Sequence, residues 1–256
     1  MPRFSANLGF LWADRPLLER IDAAAAAGFQ AIELHWPYAT PPADVKARCE
    51  KHDLTLLGIN TPIGNGDKGD FGLGAQPGRE PEFRETFLQT VAYAREAGAS
   101  AVHVMAGVVA ADRMAEAREV VVANLRFATA NAAGLTLLLE PINQRDKPGY
   151  FYSTISEAAD IIAEVGAPDL KIMFDVYHVG VSEGDVTKRL EKHLADIGHV
   201  QIAAVPSRAE PDEGEIAYAS IFATLDRIGW AGWTGCEYRP RGDTDAGLAW
   251  MRMLGQ

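Results

Sequence analysis

The feature that most constrains the fold is a unit that recurs along the chain. Each copy has an amphipathic, alanine-rich stretch, then a glycine, then a short apolar run, as in AAAAAGFQAIEL, YAREAGASAVHVM and ATANAAGLTLLLE. The glycines predict helix ends in the left-handed conformation, and the runs after them have the length and composition of buried parallel strands. The glycines of the six copies are Gly28, Gly98, Gly134, Gly166, Gly198 and Gly229.

The spacing of these glycines predicts the architecture. From Gly98 onward they lie 31–36 residues apart, which is the length of one strand and one helix, and the gap from Gly28 to Gly98 has room for two units. Eight strands alternating with helices favour a single (β/α)8 TIM-barrel domain over residues 1–256. A doubly wound sheet is disfavoured because no GxGxxG turn follows the first strand. The predicted strands are 4–8, 31–34, 54–60, 101–105, 136–140, 171–175, 200–203 and 234–238.

Two polar loops interrupt the repeat. Residues 62–81 form a Gly/Pro/Asp-rich segment after the third strand, and residues 206–215 form a polar segment after the seventh. Long loops inside a compact domain are usually lids or binding loops. Because both follow strands, we expect both at the C-terminal face of the barrel, where enzymes of this architecture have their active sites.

Polar side chains end each of the last four strands. Glu140, Asp175, Gln201 and Glu237 lie in or directly after apolar runs, where an unpaired carboxylate is costly. Three carboxylates around one point repel one another unless a cation neutralises them. An all-oxygen ligand set suits Mg2+ or Mn2+ better than zinc, so the four residues predict a divalent metal site.

Each of these residues also has a simpler interpretation. A single acid at the end of a barrel strand is often a helix N-cap or a salt-bridge partner, and Gln201 could satisfy backbone groups. His178, three residues after Asp175, could bind a substrate hydroxyl or be a surface-loop histidine. His199 shares a strand face with Gln201 and could be a core residue or a site residue.

Composition excludes several classes of function. The formal net charge of -11 disfavours sequence-independent binding to nucleic acid or to an anionic membrane, and no window is apolar for long enough to span a bilayer. The two cysteines form no CxxC pair, and residues 1–9 do not resemble a secretory signal, so we expect a cytoplasmic protein. GxSxG, HExxH and Walker motifs are absent from the sequence, which disfavours the common hydrolases, zincins and NTPases.

A family resemblance rests on stretches spread over nearly the whole length. They are AAAAGFQAIELHWPY, HVMAG, LLLEPINQRDKPGYF, DVYH, GHVQIA and GWTGCEYRP. In these the chain resembles the hydroxypyruvate isomerases of the xylose-isomerase-like barrel superfamily, including relatives that act on 2-oxo-tetronates. The resemblance implies interconversion of hydroxypyruvate and tartronate semialdehyde, or of a similar short 2-oxo hydroxy acid, by proton transfer through an enediolate.

The resemblance also implies roles for individual residues. Glu140 and Glu237 would be the catalytic acid/base pair, and both would bind the metal together with Asp175 and Gln201. A divalent ion would stabilise the enediolate while the two carboxylates remove and return the proton. The anionic end of the substrate needs a cation, for which Arg145, Arg208 and Arg239 are candidates with better geometry than Lys147.

One stretch departs from the family pattern. Relatives usually read HVQIADVPGRHEPG, whereas this chain reads HVQIAAVPSRAEPD, with Ala204 in place of an aspartate. The positions of the predicted metal site are all present, so the departure bears on the substrate and not on the class of reaction. Three other functions remain open: a sugar 3-epimerase of the same superfamily, a metal-dependent endonuclease disfavoured by the acidic charge, and a barrel that binds a ligand without catalysis. A homo-oligomer also remains open.

Overall fold

Eight parallel strands form a closed barrel in the computed structural model, which describes residues 2–254. Neighbours along the chain are neighbours in the barrel, and β8 pairs with β1 to close it. This confirms the predicted (β/α)8 architecture, with strand bounds that agree to within three residues at each end. The predicted domain also includes residues 1, 255 and 256, which lie outside the described residues. The strands are β1 (Arg3–Asn7), β2 (Ala31–Glu33), β3 (Thr55–Asn60), β4 (Ala101–His103), β5 (Thr136–Leu139), β6 (Leu170–Asp175), β7 (Ile197–Ile202) and β8 (Trp233–Cys236).

Helices cover the outside of this barrel. Helix α5 shows why they form: a capping box of Thr154 and Glu157 begins it, and Gly166 follows it with a φ of 72°. Its apolar residues recur every three or four positions and are buried against the strands. Residues 2–254 contain ten α-helices: α1 (Leu17–Ala26), α2 (Pro42–Lys51), α3 (Glu80–Ala97), α4 (Met114–Asn131), α5 (Ile155–Val165), α6 (Val176–Ser182), α7 (Val186–His193), α8 (Tyr218–Arg227), α9 (Thr244–Gly247) and α10 (Ala249–Leu254).

Strand periodicity divides polar from apolar side chains. On β7, Val200 and Ile202 belong to the apolar core that packs under the helices, whereas His199 and Gln201 line the inside of the barrel. The other strands follow the same period of two, because successive side chains of a strand point to opposite faces. The inside of the barrel is therefore unusually polar toward its C-terminal end.

Gly198 is the one predicted helix-ending glycine that lies elsewhere. Five of the six glycines have positive φ values as predicted, but Gly198 is inside β7, which begins three residues earlier than expected. A Cβ atom at Gly198 would lie 2.7 Å from Cβ of Lys171 and 2.9 Å from Cδ2 of Leu138. Close packing against β5 and β6, and not backbone conformation, therefore requires this glycine.

The long loop after β3 is anchored to the neighbouring loop after β4. Gly72 forms an isolated bridge with Ala106, and Nε2 of Gln76 donates to the carbonyl oxygen of Val108 at 2.6 Å. Both loops lie at the C-terminal end of the barrel, as does the loop between β7 and α8. Within residues 2–254, no helix combines the length and apolar composition that crossing a membrane requires.

We predict that Gly198→Ala lowers the free energy of unfolding by about 1–3 kcal/mol, because the added methyl group overpacks the barrel wall. Gly242→Ala is the matched control, since a Cβ there has no atom within 4 Å, and its effect should stay within about 0.5 kcal/mol. Urea denaturation followed by circular dichroism measures both. Equal stability of the two variants would contradict the packing argument.

Candidate active site

A cavity of about 320 Å³ opens at the C-terminal face of the barrel. Every one of the eight strands, or the segment directly after it, contributes to its wall, as is usual for active sites of this architecture. The residues that line it are Gly9, Phe10, His35, Trp36, Asn60, Phe71, His103, Met105, Glu140, Ile142, Asp146, Lys147, His178, Arg208, Glu237 and Arg239. A second cavity of about 200 Å³ lies deeper in the barrel and shares His35, Asn60 and His103 with the first.

Glu140, Asp175 and His178 form a buried cluster beside this cavity. One ligand atom from each lies within 4.8 Å of the others, so these three residues could hold a metal ion. His178 belongs to α6, where it is buried, and not to a surface loop. Nε2 of His178 is 3.5 Å from Oδ2 of Asp175 and 3.6 Å from Oε1 of Glu140.

Hydrogen bonding assigns the proton of His178. Its Nδ1 accepts from the backbone N–H of Asn143 at 3.2 Å, so in the neutral ring the proton is on Nε2. Burial and the charge of Arg208 lower the pKa of His178 to about 3, which keeps the ring neutral. In this tautomer Nε2 presents a donor to the cavity, so oxygen atoms are better suited than His178 to ligate a cation.

Gln201 lies beside Asp175 in the barrel, because β6 and β7 pair with these two residues in register. Its Nε2 donates to Oε2 of Glu33 at 2.7 Å, and its Oε1 faces no donor. Within residues 2–254, three buried oxygen atoms of predicted ligands have no hydrogen-bond partner: Oε1 of Glu140, Oδ2 of Asp175 and Oε1 of Gln201. Unpaired buried oxygens are the donors that a hard divalent cation binds, so the residues present fit such an ion.

Three side chains hold Glu237, which lines the active-site cavity after β8. Its Oε1 accepts from Nδ2 of Asn7 at 3.1 Å and contacts Nε2 of His35 at 2.9 Å, and its Oε2 accepts from Arg208 at 3.0 Å. Burial alone raises the pKa of Glu237, but the hydrogen bond with His35 and the charge of Arg208 outweigh it and lower the pKa to about 2. Glu237 is therefore ionised at neutral pH.

The other two carboxyl groups have the opposite tendency. Burial and the charges of Glu237 and Asp175 raise the pKa of Glu140 well above its usual range. Burial and Glu237 raise the pKa of Asp175 to about 8. A cation bound between these groups would lower the pKa of each of them. The site thus pairs a carboxylate that stays ionised with carboxyl groups that need a proton or a metal.

The three predicted arginines differ in position. Arg208 lies between the carboxylates, 3.0 Å from Glu237, 3.4 Å from Asp146 and 3.8 Å from Asp175. Arg239 lines the cavity, where its guanidinium lies over the ring of Phe10. Arg145 lies outside the lining of the cavity.

The side chain of Arg145 is half exposed. It donates to the hydroxyl of Tyr177 at 3.1 Å and to the carbonyl oxygen of Pro206 at 3.2 Å. It therefore contacts the rim of the site from outside and not the interior.

Sequence reasoning missed the residues of the first four strands. Asn7, Glu33, His35 and His103 all point into the barrel, and Glu33 contacts both Gln201 and His199. The sequence contains the same pattern for these strands, because polar residues also end β1, β2 and β4, as they end the later strands. Asp146, which pairs with Arg208, lies in a loop and carries no comparable periodic signal.

The family follows from comparison with known proteins. A sequence model described as xylose isomerase-like TIM barrel matches residues 21–254. The chain belongs to this family. It is 46% identical over 256 residues to 2-oxo-tetronate isomerase of Cupriavidus necator, with 98% of each chain covered. It is 37% identical over 255 residues to hydroxypyruvate isomerase of Escherichia coli (strain K12), again with 98% of each chain covered.

A solved structure of similar identity has a different name. The chain superposes with a TM-score of 0.96 on a protein of Brucella melitensis named AP endonuclease, family 2, at 39% identity and with 99% of each chain covered. One barrel can host unrelated chemistries, so this match describes the fold. The full-length relatives named as isomerases confirm the family resemblance, and the chain is an enzyme of isomerase type.

We predict that Arg208→Met lowers the free energy of unfolding by about 3 kcal/mol at neutral pH, because it leaves buried carboxylates without their cation. The folded-state pKa of Glu237, about 2, is below its ordinary value of 4.5. Ionised Glu237 therefore contributes its full stabilisation above about pH 4.5, and this stabilisation is lost as the pH falls toward about 2. The cost of the substitution should therefore shrink as the pH falls from about 4.5 to about 2.

Urea denaturation across this pH range measures the effect. Arg118→Met is the control, because Arg118 forms an exposed ion pair with Glu164 between α4 and α5, and its loss should cost less than about 1 kcal/mol. A cost for Arg208→Met no larger than that of the control would contradict the electrostatic role.

Proposed function

We propose that this enzyme is a metal-assisted isomerase of short 2-oxo hydroxy acids. Its substrate would be hydroxypyruvate, in exchange with tartronate semialdehyde, or a four-carbon 2-oxo-tetronate. The observation that carries the proposal is a pair of buried glutamates, Glu140 after β5 and Glu237 after β8, that line one cavity. Two carboxyl groups that flank a bound substrate can remove and return its proton. The names of the full-length relatives support the same class of substrate.

The two glutamates would divide the proton transfer between them. Glu237, ionised and fixed by Asn7 and His35, would remove the proton from the carbon that bears the hydroxyl group. Glu140, protonated from solvent, would deliver a proton to the former carbonyl carbon, while the hydroxyl proton passes from one substrate oxygen to the other. Glu237 would release the proton that it removed to solvent, which restores both groups. His178, whose Nε2–H faces the cavity, would donate a hydrogen bond to a substrate oxygen.

The proposed metal ligands are Glu140, Asp175, Gln201 and Glu237. All four offer oxygen atoms, which favours Mg2+ or Mn2+. When bound, the ion would polarise the substrate carbonyl and offset the negative charge of the enediolate. The unpaired buried oxygens of Glu140, Asp175 and Gln201 support this assignment.

Arg239 and Lys147 are the groups that we assign to the substrate carboxylate. Both line the cavity, and within residues 2–254 neither forms an ion pair with a protein carboxylate. Nζ of Lys147 lies 4.0 Å from the ring centre of Phe71, and the guanidinium of Arg239 lies 5.7 Å from that of Phe10. Arg208 is less available for an anion, because its charge already faces Glu237 and Asp146.

We predict that Glu237→Gln and Glu140→Gln each lower kcat about 10²–10⁴-fold, because each removes one partner of the proton transfer. Proton NMR in D2O, on hydroxypyruvate and on a 2-oxo-tetronate, measures both turnover and incorporation of deuterium. Addition of a chelator should abolish both in the wild-type enzyme, and Mn2+ or Mg2+ should restore them. Arg118→Met is the control and should retain wild-type rates.

The same spectra separate the competing functions. A product whose carbonyl has moved to the adjacent carbon supports the isomerase, whereas an unmoved carbonyl with inverted configuration indicates an epimerase. Binding of the acid without deuterium exchange would indicate a barrel that only binds its ligand. Cleavage of DNA with an abasic site, in place of isomerisation, would indicate the endonuclease.

We predict that Arg239→Met raises KM for the acid about 10- to 100-fold, because a charge-assisted contact to the substrate carboxylate is lost. The change in kcat should stay within about threefold, since the contact exists in both the ground state and the transition state. Steady-state kinetics against Arg118→Met measures this separation. An unchanged KM would remove Arg239 from the substrate site.

A further inference from the structure

Glu33 is a buried carboxylate that lies beside Gln201, one of the proposed metal ligands, and it does not belong to the lining of the active-site cavity. It comes from the end of β2 and lines the deeper cavity of the barrel. Four side chains donate to it: Ser5 at 3.0 Å and His199 at 3.1 Å to Oε1, and Gln201 at 2.7 Å and Asn7 at 3.4 Å to Oε2. Because these four donors occupy the lone pairs of its oxygens, Glu33 acts as a hydrogen-bond acceptor and is not available as a metal ligand.

The contact with Gln201 decides which end of that amide faces the site. An amide has a donor end and an acceptor end, and only the oxygen can bind a cation. Because Glu33 offers acceptors alone, Nε2 of Gln201 must turn toward it, and Oε1 must turn away. That Oε1 is the buried oxygen without a partner. The opposite orientation would place two oxygen atoms in contact and aim an NH2 group at the carboxylates.

The structure makes room for this arrangement. Gly235 on β8 lies beside Glu33, and a Cβ atom there would come within 3.0 Å of both the Glu33 carboxyl carbon and Cγ of Gln201. Asn7 extends the network to the other wall, because its Nδ2 donates to Oε2 of Glu33 and to Oε1 of Glu237. The Oδ1 atom of Asn7 accepts from the backbone N–H of Gly9 at 2.9 Å, which fixes the orientation of this amide too.

We propose that Glu33 is a positioning residue that holds the amide oxygen of Gln201 toward the metal site. The inference rests on the proposed function, because it concerns the same site, and it assigns a role to a residue that touches neither substrate nor cation. Hydrogen-bond partners of metal ligands commonly change metal affinity 10- to 100-fold when they are removed.

Two neutral variants of Glu33 test the proposal. Glu33→Gln keeps an acceptor oxygen for Gln201, whereas Glu33→Met has nearly the same length and no acceptor. Both variants lose the negative charge of Glu33, so the loss of its long-range attraction for a cation is the same in both and does not affect the comparison between them. We expect the Kd for Mn2+, measured by electron paramagnetic resonance of free Mn2+, to be at least about 10-fold weaker in Glu33→Met than in Glu33→Gln. Equal affinities would overturn the proposal.

A double-mutant cycle separates positioning from general damage to the fold. In a Gln201→Ala background there is no amide to orient, so the difference between Glu33→Met and Glu33→Gln should fall to within about twofold. A difference that persists in this background would show that Glu33 acts through the fold and would overturn the proposal. Ser5→Ala removes one donor of Glu33 and leaves the contact with Gln201, so its Mn2+ affinity should stay within about threefold of wild type.

A second test does not depend on the folding of Glu33→Met. Gln201→Glu places a carboxylate against Glu33, so it should weaken Mn2+ binding although it adds a negative charge near the ion. The double variant Glu33→Gln with Gln201→Glu restores a donor and an acceptor in exchanged positions, and it should recover the lost affinity. Tighter binding by Gln201→Glu alone would contradict the proposed contact.

The outcomes also distinguish this inference from the proposed function. A wild-type enzyme that binds no Mn2+ would overturn both. A wild-type enzyme that binds Mn2+ without isomerising the 2-oxo acids would overturn only the proposed function, while the variants of Glu33 still decide the positioning role. Isomerase activity together with equal Mn2+ affinities of Glu33→Met and Glu33→Gln would overturn only the inference.

Discussion

The burial of four carboxyl groups at one end of a barrel is the constraint on which the site depends. Glu33, Glu140, Asp175 and Glu237 are each 5% exposed or less, and a buried carboxylate without partners is costly. Donors satisfy two of them, because Glu33 accepts from four side chains and Glu237 contacts Asn7, His35 and Arg208. Within the described residues, Glu140 and Asp175 each keep one oxygen without a hydrogen bond, and that of Asp175 lies 3.8 Å from Arg208. This incomplete neutralisation is what makes the site able to hold a cation or a proton.

The barrel explains how residues far apart in sequence reach one point. Parallel strands bring all their C-terminal ends to the same face, and the period of two turns alternate side chains inward. The carboxylates therefore form layers: Glu33 lies deep, beside His199 and Gln201, and the cavity that opens at the C-terminal face lies above them. Small residues permit this layering, since side chains at Gly198 or Gly235 would displace the inward-facing groups or the strands next to them.

The sequence was sufficient for features that repeat, and insufficient for contacts across the barrel. The regular glycines and apolar runs predicted all eight strands, and polar strand ends led to Glu140, Asp175 and Glu237 because that signal is local. The contact of Glu33 with Gln201 joins residues 168 positions apart on strands that are not neighbours, so no local pattern contains it. Arg208 and Arg145 likewise look equivalent in sequence. Only the loop after β7, in which Arg208 has a φ of 56°, turns Arg208 inward.

Ala204, which stands where relatives usually have an aspartate, affects the number of buried carboxyl groups at this end of the barrel. The residue is fully buried, and its backbone holds the turn that presents Arg208: its N–H donates to Ala209 O at 2.9 Å, and its oxygen accepts from Arg208 N at 2.8 Å. Position 204 therefore contributes to this turn through backbone hydrogen bonds, which do not depend on the identity of its side chain. An aspartate there would add a further buried carboxylate that needs a donor or a cation. In this chain that turn, held by backbone hydrogen bonds at Ala204, carries Arg208, whose charge is directed at Glu237 and Asp146.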